Sequence, residues 1–204
     1  MKRLYKLLVL YPCDNYEFSN YHMDRVLVFL AASLWLAAAP YADVTVPVAT
    51  DLQRDGSQAR SRELPILLTF TSMICSYCEL LEQDFLQPML LGGEYRDKVI
   101  FRKLEVGYGS TVTDFTGQSI AVRELSDRYR VFVTPTLLFV DGNGKELAER
   151  MIGINTPELF GGYLDACIET ALLSIRNPEL AASISSCQLE HAANSDTIFR
   201  TAVP

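Results

Sequence analysis

The chain has 204 residues, of which 49% are hydrophobic, and its formal net charge of −7 corresponds to a sequence pI of about 4.9. A chain of this size buries one sizeable core. Its basic residues form no dense cluster, so the charge pattern gives no electrostatic footprint for a nucleic-acid partner. The five cysteines are too few to build a fold of this length from disulfides; they are Cys13, Cys75, Cys78, Cys167 and Cys187.

The first 42 residues are predicted to be a targeting region. Arg25 precedes an uncharged apolar stretch over residues 26–39, which is typical of a signal peptide and shorter than the roughly 20 residues that a membrane-spanning helix needs. We predict a signal peptide over residues 23–42, cleaved after Ala39 or Ala42, with an N-terminal anchor as the alternative. Residues 1–22, which include Cys13, would form a leader before this apolar stretch. Such a leader is longer and more mixed in composition than signal peptides usually have, so we predict that translation starts at Met23.

The next segments lead into the predicted core. Residues 43–63 contain few apolar side chains and are predicted to be a linker or a loosely attached segment. The apolar run over residues 64–70 predicts a buried strand. The residues after Cys75 predict a helix, which Pro88 should kink or end.

The remaining elements alternate strands and helices. They are a strand over residues 98–106, a Gly-, Ser- and Thr-rich irregular loop over 107–117, a helix over 119–130 capped by Ser119, a hairpin turning at 142–144, and a helix opening at Thr156-Pro157. The folded domain is predicted over residues 64–175, followed by a tail over 176–204. This order predicts an α/β fold in which a mixed sheet is flanked by helices.

A Cys-x-x-Cys pair at the start of a helix has a chemical consequence. The sulfur of Cys75 is placed where unpaired backbone N–H groups and the helix dipole favour a thiolate, which should lower its pKa. Cys78, one turn later, lies within reach and is better buried. The pair therefore predicts a nucleophile, Cys75, that attacks a disulfide, and a resolving thiol, Cys78, that releases the product.

Two structural alternatives accompany the redox interpretation of the Cys75–Cys78 pair. Cys-x-x-Cys is half of many zinc sites, but no second such pair follows, and the sequence contains only His22 and His191 as histidines. An inert local disulfide is the other alternative, because export would oxidise the pair whether or not it turns over. We predict no metal and no cofactor.

Val133-Thr134-Pro135-Thr136 is the second informative motif. Proline donates no ladder hydrogen bond, so Pro135 belongs at the start of the strand that follows it. By base rate alone the Thr134-Pro135 bond should be trans, since only about 5–6% of X–Pro bonds are cis.

Together these motifs resemble the thioredoxin superfamily over about residues 64–173, and most of all its exported SoxW-type members. The resemblance implies a thioredoxin fold, a cis Thr134-Pro135 bond that faces the two cysteines, and a role for Thr134 and Pro135 in binding substrate. One departure matters: thioredoxins place a buried aspartate six residues before the first cysteine, where this chain has Thr69. The proton acceptor for Cys78 is therefore unassigned, and Glu79 and Glu82 are interpreted as solvated helix charges.

We therefore predict an exported thiol–disulfide oxidoreductase of the bacterial periplasm that reduces or isomerises disulfides of exported client proteins, served by an unidentified redox partner protein. Its mature chain should have no membrane span. A dithiol oxidase on the same fold and a non-catalytic binding module with a structural Cys75–Cys78 disulfide are the alternatives. Cys167, on the apolar face of the last helix, is either a small core residue or the partner of Cys187.

Overall fold

The structure is a computed structural model that describes residues 44–181 and residue 187. The predictions about the leader, the signal peptide, Cys13 and the start at Met23 lie outside these residues. In the part of the chain that is described, no helix has both the length and the apolar character needed to cross a membrane.

The strands of the described chain form one mixed sheet and one small hairpin. They are β1 (Ile66–Thr71), β2 (Ile100–Glu105), β3 (Thr111–Thr113), β4 (Ser119–Ala121), β5 (Thr136–Val140) and β6 (Met151–Ile152). The sheet has the order β2-β1-β5-β6, in which β1 runs parallel to β2 and antiparallel to β5, and β6 pairs antiparallel with β5. The predicted mixed α/β sheet with its antiparallel edge pair is confirmed.

Helices cover the sheet. They are α1 (Leu52–Arg62), α2 (Ser76–Leu81), a π-helical turn (Glu82–Leu86), α3 (Gln87–Gly92), α4 (Val122–Arg128), α5 (Pro157–Arg176) and α6 (Pro178–Ala181). We call the helical stretch over residues 76–92 the cysteine helix. Pro88 does not end it, because the stretch continues to Gly92. The hydrogen-bond pattern changes from α to π just before this proline, over Glu82–Leu86.

Side chains alternate between two core layers along each strand. On β1, Leu68 and Phe70 face the layer beneath α1, the β3–β4 hairpin and α4. Leu67 faces the opposite layer, which contains Leu81 of the cysteine helix and Leu164 of α5. The helix that carries the cysteines therefore covers the face of the sheet on which Leu67 lies.

The prediction of a linker or loose segment over residues 43–63 is wrong for its second half, which forms α1. Four residues at helical spacing are buried there: Leu52, Asp55, Gly56 and Ala59. Only Leu52 among them is a large apolar residue, so the sequence shows little hydrophobic periodicity. Asp55 is buried because both of its carboxylate oxygens accept hydrogen bonds from Arg102 on β2, at 2.5 and 2.6 Å.

Gly56 lets α1 approach the turn between β5 and β6. A Cβ atom at Gly56 would lie 2.3 Å from the carbonyl oxygen of Gly142, which is a backbone atom that cannot swing aside. Gly56→Ala is therefore expected to lower the free energy of unfolding by about 1–3 kcal/mol in urea denaturation. Gly92→Ala is the control, because a Cβ there meets nothing within 4 Å. Equal effects of the two substitutions would contradict this role of Gly56.

The irregular loop predicted for residues 107–117 is also wrong in part, because β3 lies within it and pairs with β4. Ser119 consequently begins a strand, and α4 starts only at Val122. Asp114 organises the turn between the two strands. Hydrogen bonds from Thr116 and from Arg128, among others, hold the pKa of its carboxyl well below the usual range.

Cys167 and Cys187, whose pairing the sequence left open, form a disulfide. Cys167 lies on the buried face of α5, and both cysteines are less than 10% exposed. A cross-link that closes a loop of about 20 residues lowers the conformational entropy of the unfolded chain. This effect raises the free energy of unfolding by about 3 kcal/mol. The bond ties a tail residue to the core layer beneath the cysteine helix.

Candidate active site

The loop after β1 places Cys75 at the N-terminus of the cysteine helix. Cys75 is the residue that caps α2, in an extended conformation, and its Sγ accepts a hydrogen bond from the backbone N–H of Cys78 at 3.1 Å. A sulfur that receives an amide N–H at a helix N-terminus is better stabilised as a thiolate. The position predicted for Cys75 from the sequence is therefore confirmed.

Cys75 and Cys78 form a disulfide, with their Cα atoms 5.2 Å apart. Cys75 is partly exposed, whereas only 6% of Cys78 is accessible. An incoming thiol or disulfide therefore meets Cys75 first. A buried Cys75 would have favoured a purely structural disulfide, and the structure does not have that feature.

The second predicted motif lies beside the cysteine loop. The Thr134-Pro135 peptide bond is cis, as the resemblance implied and the base rate alone did not. The Thr134 and Ser72 hydroxyl oxygens are 3.0 Å apart, which joins this loop to the segment that leads to Cys75. Pro135 is buried, and its carbonyl accepts the N–H of Gly153.

The backbone of Thr134 has two unpaired polar groups within the described chain. Among the described residues, neither its N–H nor its carbonyl takes part in a hydrogen bond. Thr134 is also only partly buried. An unpaired donor and acceptor at the edge of the site are available to an extended peptide.

Large, exposed apolar side chains flank both motifs in the sequence, and no sequence pattern described above identifies them as part of the site. We call them the apolar rim; the members are Met73 (78% exposed), Ile74 (98%), Tyr77 (57%), Phe132 (82%) and Val133 (58%). Apolar groups of this size that stay exposed next to a candidate site indicate a surface that binds another molecule. The signal available in the sequence was the apolar character of the residues flanking Cys75 and Pro135.

The interpretation of Glu82 as a solvated helix charge is wrong, whereas Glu79 is indeed exposed. The Glu82 side chain is only 19% accessible and forms an ion pair with Lys103 of β2, at 2.7 Å. Thr69, in the position of the thioredoxin aspartate, is 1% accessible, and its hydroxyl has no hydrogen-bond partner within the described chain. The cysteine helix therefore carries a partly buried carboxylate that its sequence position alone did not reveal.

Among residues 44–181 and 187, no group of three or more His, Cys, Asp or Glu side chains is arranged to hold a metal ion. A partly exposed helix-capping cysteine, a buried second cysteine and an adjacent cis-proline loop on a mixed sheet instead define the class of thioredoxin-fold proteins with a Cys-x-x-Cys pair.

Comparison with known proteins gives the family. A family model described as a thioredoxin-like domain matches residues 52–168, and the chain belongs to that family. The family comprises thiol–disulfide oxidoreductases as its typical members, whose motif the Cys75–Cys78 pair reproduces. The narrower resemblance to SoxW-type proteins stays a prediction. No curated protein matches the chain.

Several solved structures are similar to the chain at low identity. The DsbH oxidoreductase is 23% identical, with a TM-score of 0.46, over 66% of this chain and 90% of its own. A thioredoxin-fold protein from Helicobacter pylori is 21% identical, with a TM-score of 0.42, over 67% and 86%. A poplar thioredoxin h is 18% identical, with a TM-score of 0.39, over 55% and 89%.

Proposed function

We propose that the chain is an exported thiol–disulfide oxidoreductase that reduces or isomerises disulfides in client proteins. The observation that supports this most is the position of the Cys75 sulfur. It caps a helix, receives an amide hydrogen bond, and is partly exposed beside a cis-proline loop. A sulfur that serves only as a structural cross-link needs none of these features.

The reaction proceeds by two exchanges. The Cys75 thiolate attacks one sulfur of a client disulfide, so that a Cys75–client bond forms and the other client sulfur leaves as a thiolate. Cys78 then attacks the sulfur of Cys75, the Cys75–Cys78 disulfide forms, and the client is released with both thiols reduced. A redox partner protein returns the pair to the dithiol.

Client binding uses the surface around the two cysteines. The free N–H and carbonyl of Thr134 pair with the main chain of an extended client segment, and Pro135 sets the position of that loop. The apolar rim binds apolar side chains that a misfolded or flexible client exposes. Such a surface accepts many sequences, because main-chain pairing and apolar contact require no particular side chain.

The proposed location is the bacterial periplasm. The signal-like stretch over residues 23–42 supports export, with a mature chain that follows the cleavage site and carries the folded domain. The Cys167–Cys187 disulfide is consistent with an oxidising compartment. The start of translation at Met23 belongs to the same proposal. The segment predicted as a tail after residue 175 contains the end of α5, the helix α6, and Cys187, which is bonded to Cys167.

Two assays with opposite directions test the proposed activity. With dithiothreitol as the electron source, the chain is expected to accelerate reduction of the insulin disulfides. The oxidised chain is expected to be a much weaker oxidant of reduced, unfolded ribonuclease. Strong oxidation with no reduction would instead identify a dithiol oxidase, and inactivity in both assays would contradict the proposal.

A further inference from the structure

Thr69 and Lys103 lie side by side beneath the cysteine helix. They are register partners on the parallel strands β1 and β2. Side chains alternate along a strand, so Thr69 shares the face of Leu67, and Lys103 shares the face of Phe101. Both of these apolar residues belong to the core layer that the cysteine helix covers.

Glu82 reaches this layer from the helix. It lies four residues after Cys78, and its backbone N–H bonds to the Cys78 carbonyl, so the two side chains occupy the same helix face. Among the described residues, one carboxylate oxygen accepts hydrogen bonds from Lys103 Nζ and from the Val46 N–H, and the other accepts one from Lys103 alone. A carboxylate has about four acceptor positions, so one remains available.

Resolution of a mixed disulfide requires such an acceptor. The Cys78 thiol must lose its proton before it attacks the sulfur of Cys75, and burial disfavours the thiolate. The hydroxyl of Thr69 is not a base at neutral pH, so it does not accept this proton. The thioredoxins that the chain resembles have a carboxylate at this position. Glu79, the other helix acid that the sequence brings close to Cys78, is exposed to solvent.

We propose that Glu82 is the proton acceptor for Cys78, held in place by Lys103, and this inference rests on the proposed function. The Cys78 thiol gives its proton to the Glu82 carboxylate, and the resulting thiolate attacks the Cys75 sulfur. The Cys75–Cys78 bond forms as the Cys75–client bond breaks, and the client sulfur leaves as a thiolate. The protonated Glu82 then returns its proton to solvent.

A two-phase reaction separates the attack by Cys75 from the resolution by Cys78. Reduced chain carrying Cys13→Ser is mixed with dithiobis(nitrobenzoate). Attack by Cys75 releases one nitrothiobenzoate at a rate that scales with reagent concentration, and attack by Cys78 releases a second at a rate that does not. The double variant Cys75→Ser/Cys78→Ser measures the release that comes from Cys167 and Cys187.

Glu82→Gln is expected to slow the second phase by roughly 100-fold and to leave the first phase unchanged. Glu79→Gln, on the same helix, is the matched control and is expected to change neither phase. A second phase in Glu82→Gln within about twofold of the parent would overturn the proposal, as would equal slowing by Glu79→Gln. Absence of the first phase in the parent would contradict the proposed function itself.

Rescue tests whether the carboxylate matters for its chemistry or only for packing. Thr69→Asp restores a carboxylate beside Lys103 on the strand, and in the Glu82→Gln background it is expected to recover most of the second-phase rate. A merely structural role of Glu82 predicts no recovery from a folded double variant. If the double variant does not fold, by circular dichroism, the comparison of Glu82→Gln with Glu79→Gln still decides the proposal.

Discussion

Cys75→Ser is expected to remove disulfide reduction down to the uncatalysed background, a loss on the order of a thousandfold or more. The hydroxyl of serine is not ionised at neutral pH, so the helix N-terminus has no thiolate to stabilise. The insulin reduction assay measures this loss. The cap itself should survive, because serine is a preferred N-cap residue, and the variant should remain folded.

A matched control separates lost chemistry from lost structure. Cys167→Ser/Cys187→Ser removes the other disulfide and is expected to lower stability while leaving reduction intact at temperatures where the chain is folded. Reduction that persists in Cys75→Ser would defeat the assignment of the nucleophile. Loss of reduction in Cys167→Ser/Cys187→Ser, with the fold retained, would indicate that Cys167 and Cys187 take part in the reaction.

Cys78→Ser is expected to accumulate mixed disulfides with client proteins. Cys75 still attacks, but no second thiol is in position to release the bound client, so the intermediate persists. Non-reducing electrophoresis after incubation with disulfide-containing proteins should show adducts that disappear when reductant is added. With Cys13→Ser in every variant, the double variant Cys75→Ser/Cys78→Ser should form none, and adducts on Cys78 in the Cys75→Ser variant would reverse the assigned order of attack.

The central features of this fold follow from local sequence signals. The buried strand before Cys75 is a continuous apolar run, the helix after it begins at a residue that can cap it, and Thr156-Pro157 opens α5 as predicted. The cis Thr134-Pro135 bond does not follow from local signals, because the proline base rate favours trans. That prediction came from the combination of two motifs some sixty residues apart.

The missed elements depend on contacts between distant segments. Helix α1 buries small and polar residues, and it is stabilised by the pair Asp55–Arg102 and by the close approach of Gly56 to Gly142. Neither contact produces hydrophobic periodicity. The strands β3 and β4 are three residues each, which is too short for an alternation pattern to be recognised among Gly, Ser and Thr.

In the candidate site, too, some residues follow from local sequence signals and others depend on contacts between distant segments. Cys75, Cys78 and Pro135 were identifiable from their spacing and their neighbours. The role of Glu82 was not, because a glutamate on an amphipathic helix is usually solvated, and only the parallel pairing of β1 with β2 brings Lys103 to it. The apolar rim was not predicted either. The apolar character of its residues is visible in the sequence, but apolar residues near a strand and a helix are more often buried than exposed.

The redox potential of the Cys75–Cys78 pair decides whether this disulfide is redox-active or inert. The chain is equilibrated against glutathione buffers, the remaining thiols are trapped by alkylation, and both disulfides are quantified separately by peptide mass spectrometry. A redox-active pair predicts a potential between about −270 and −120 mV for Cys75–Cys78, with the structural Cys167–Cys187 bond below about −300 mV. A value below about −300 mV for Cys75–Cys78 as well would identify an inert structural disulfide and contradict the account.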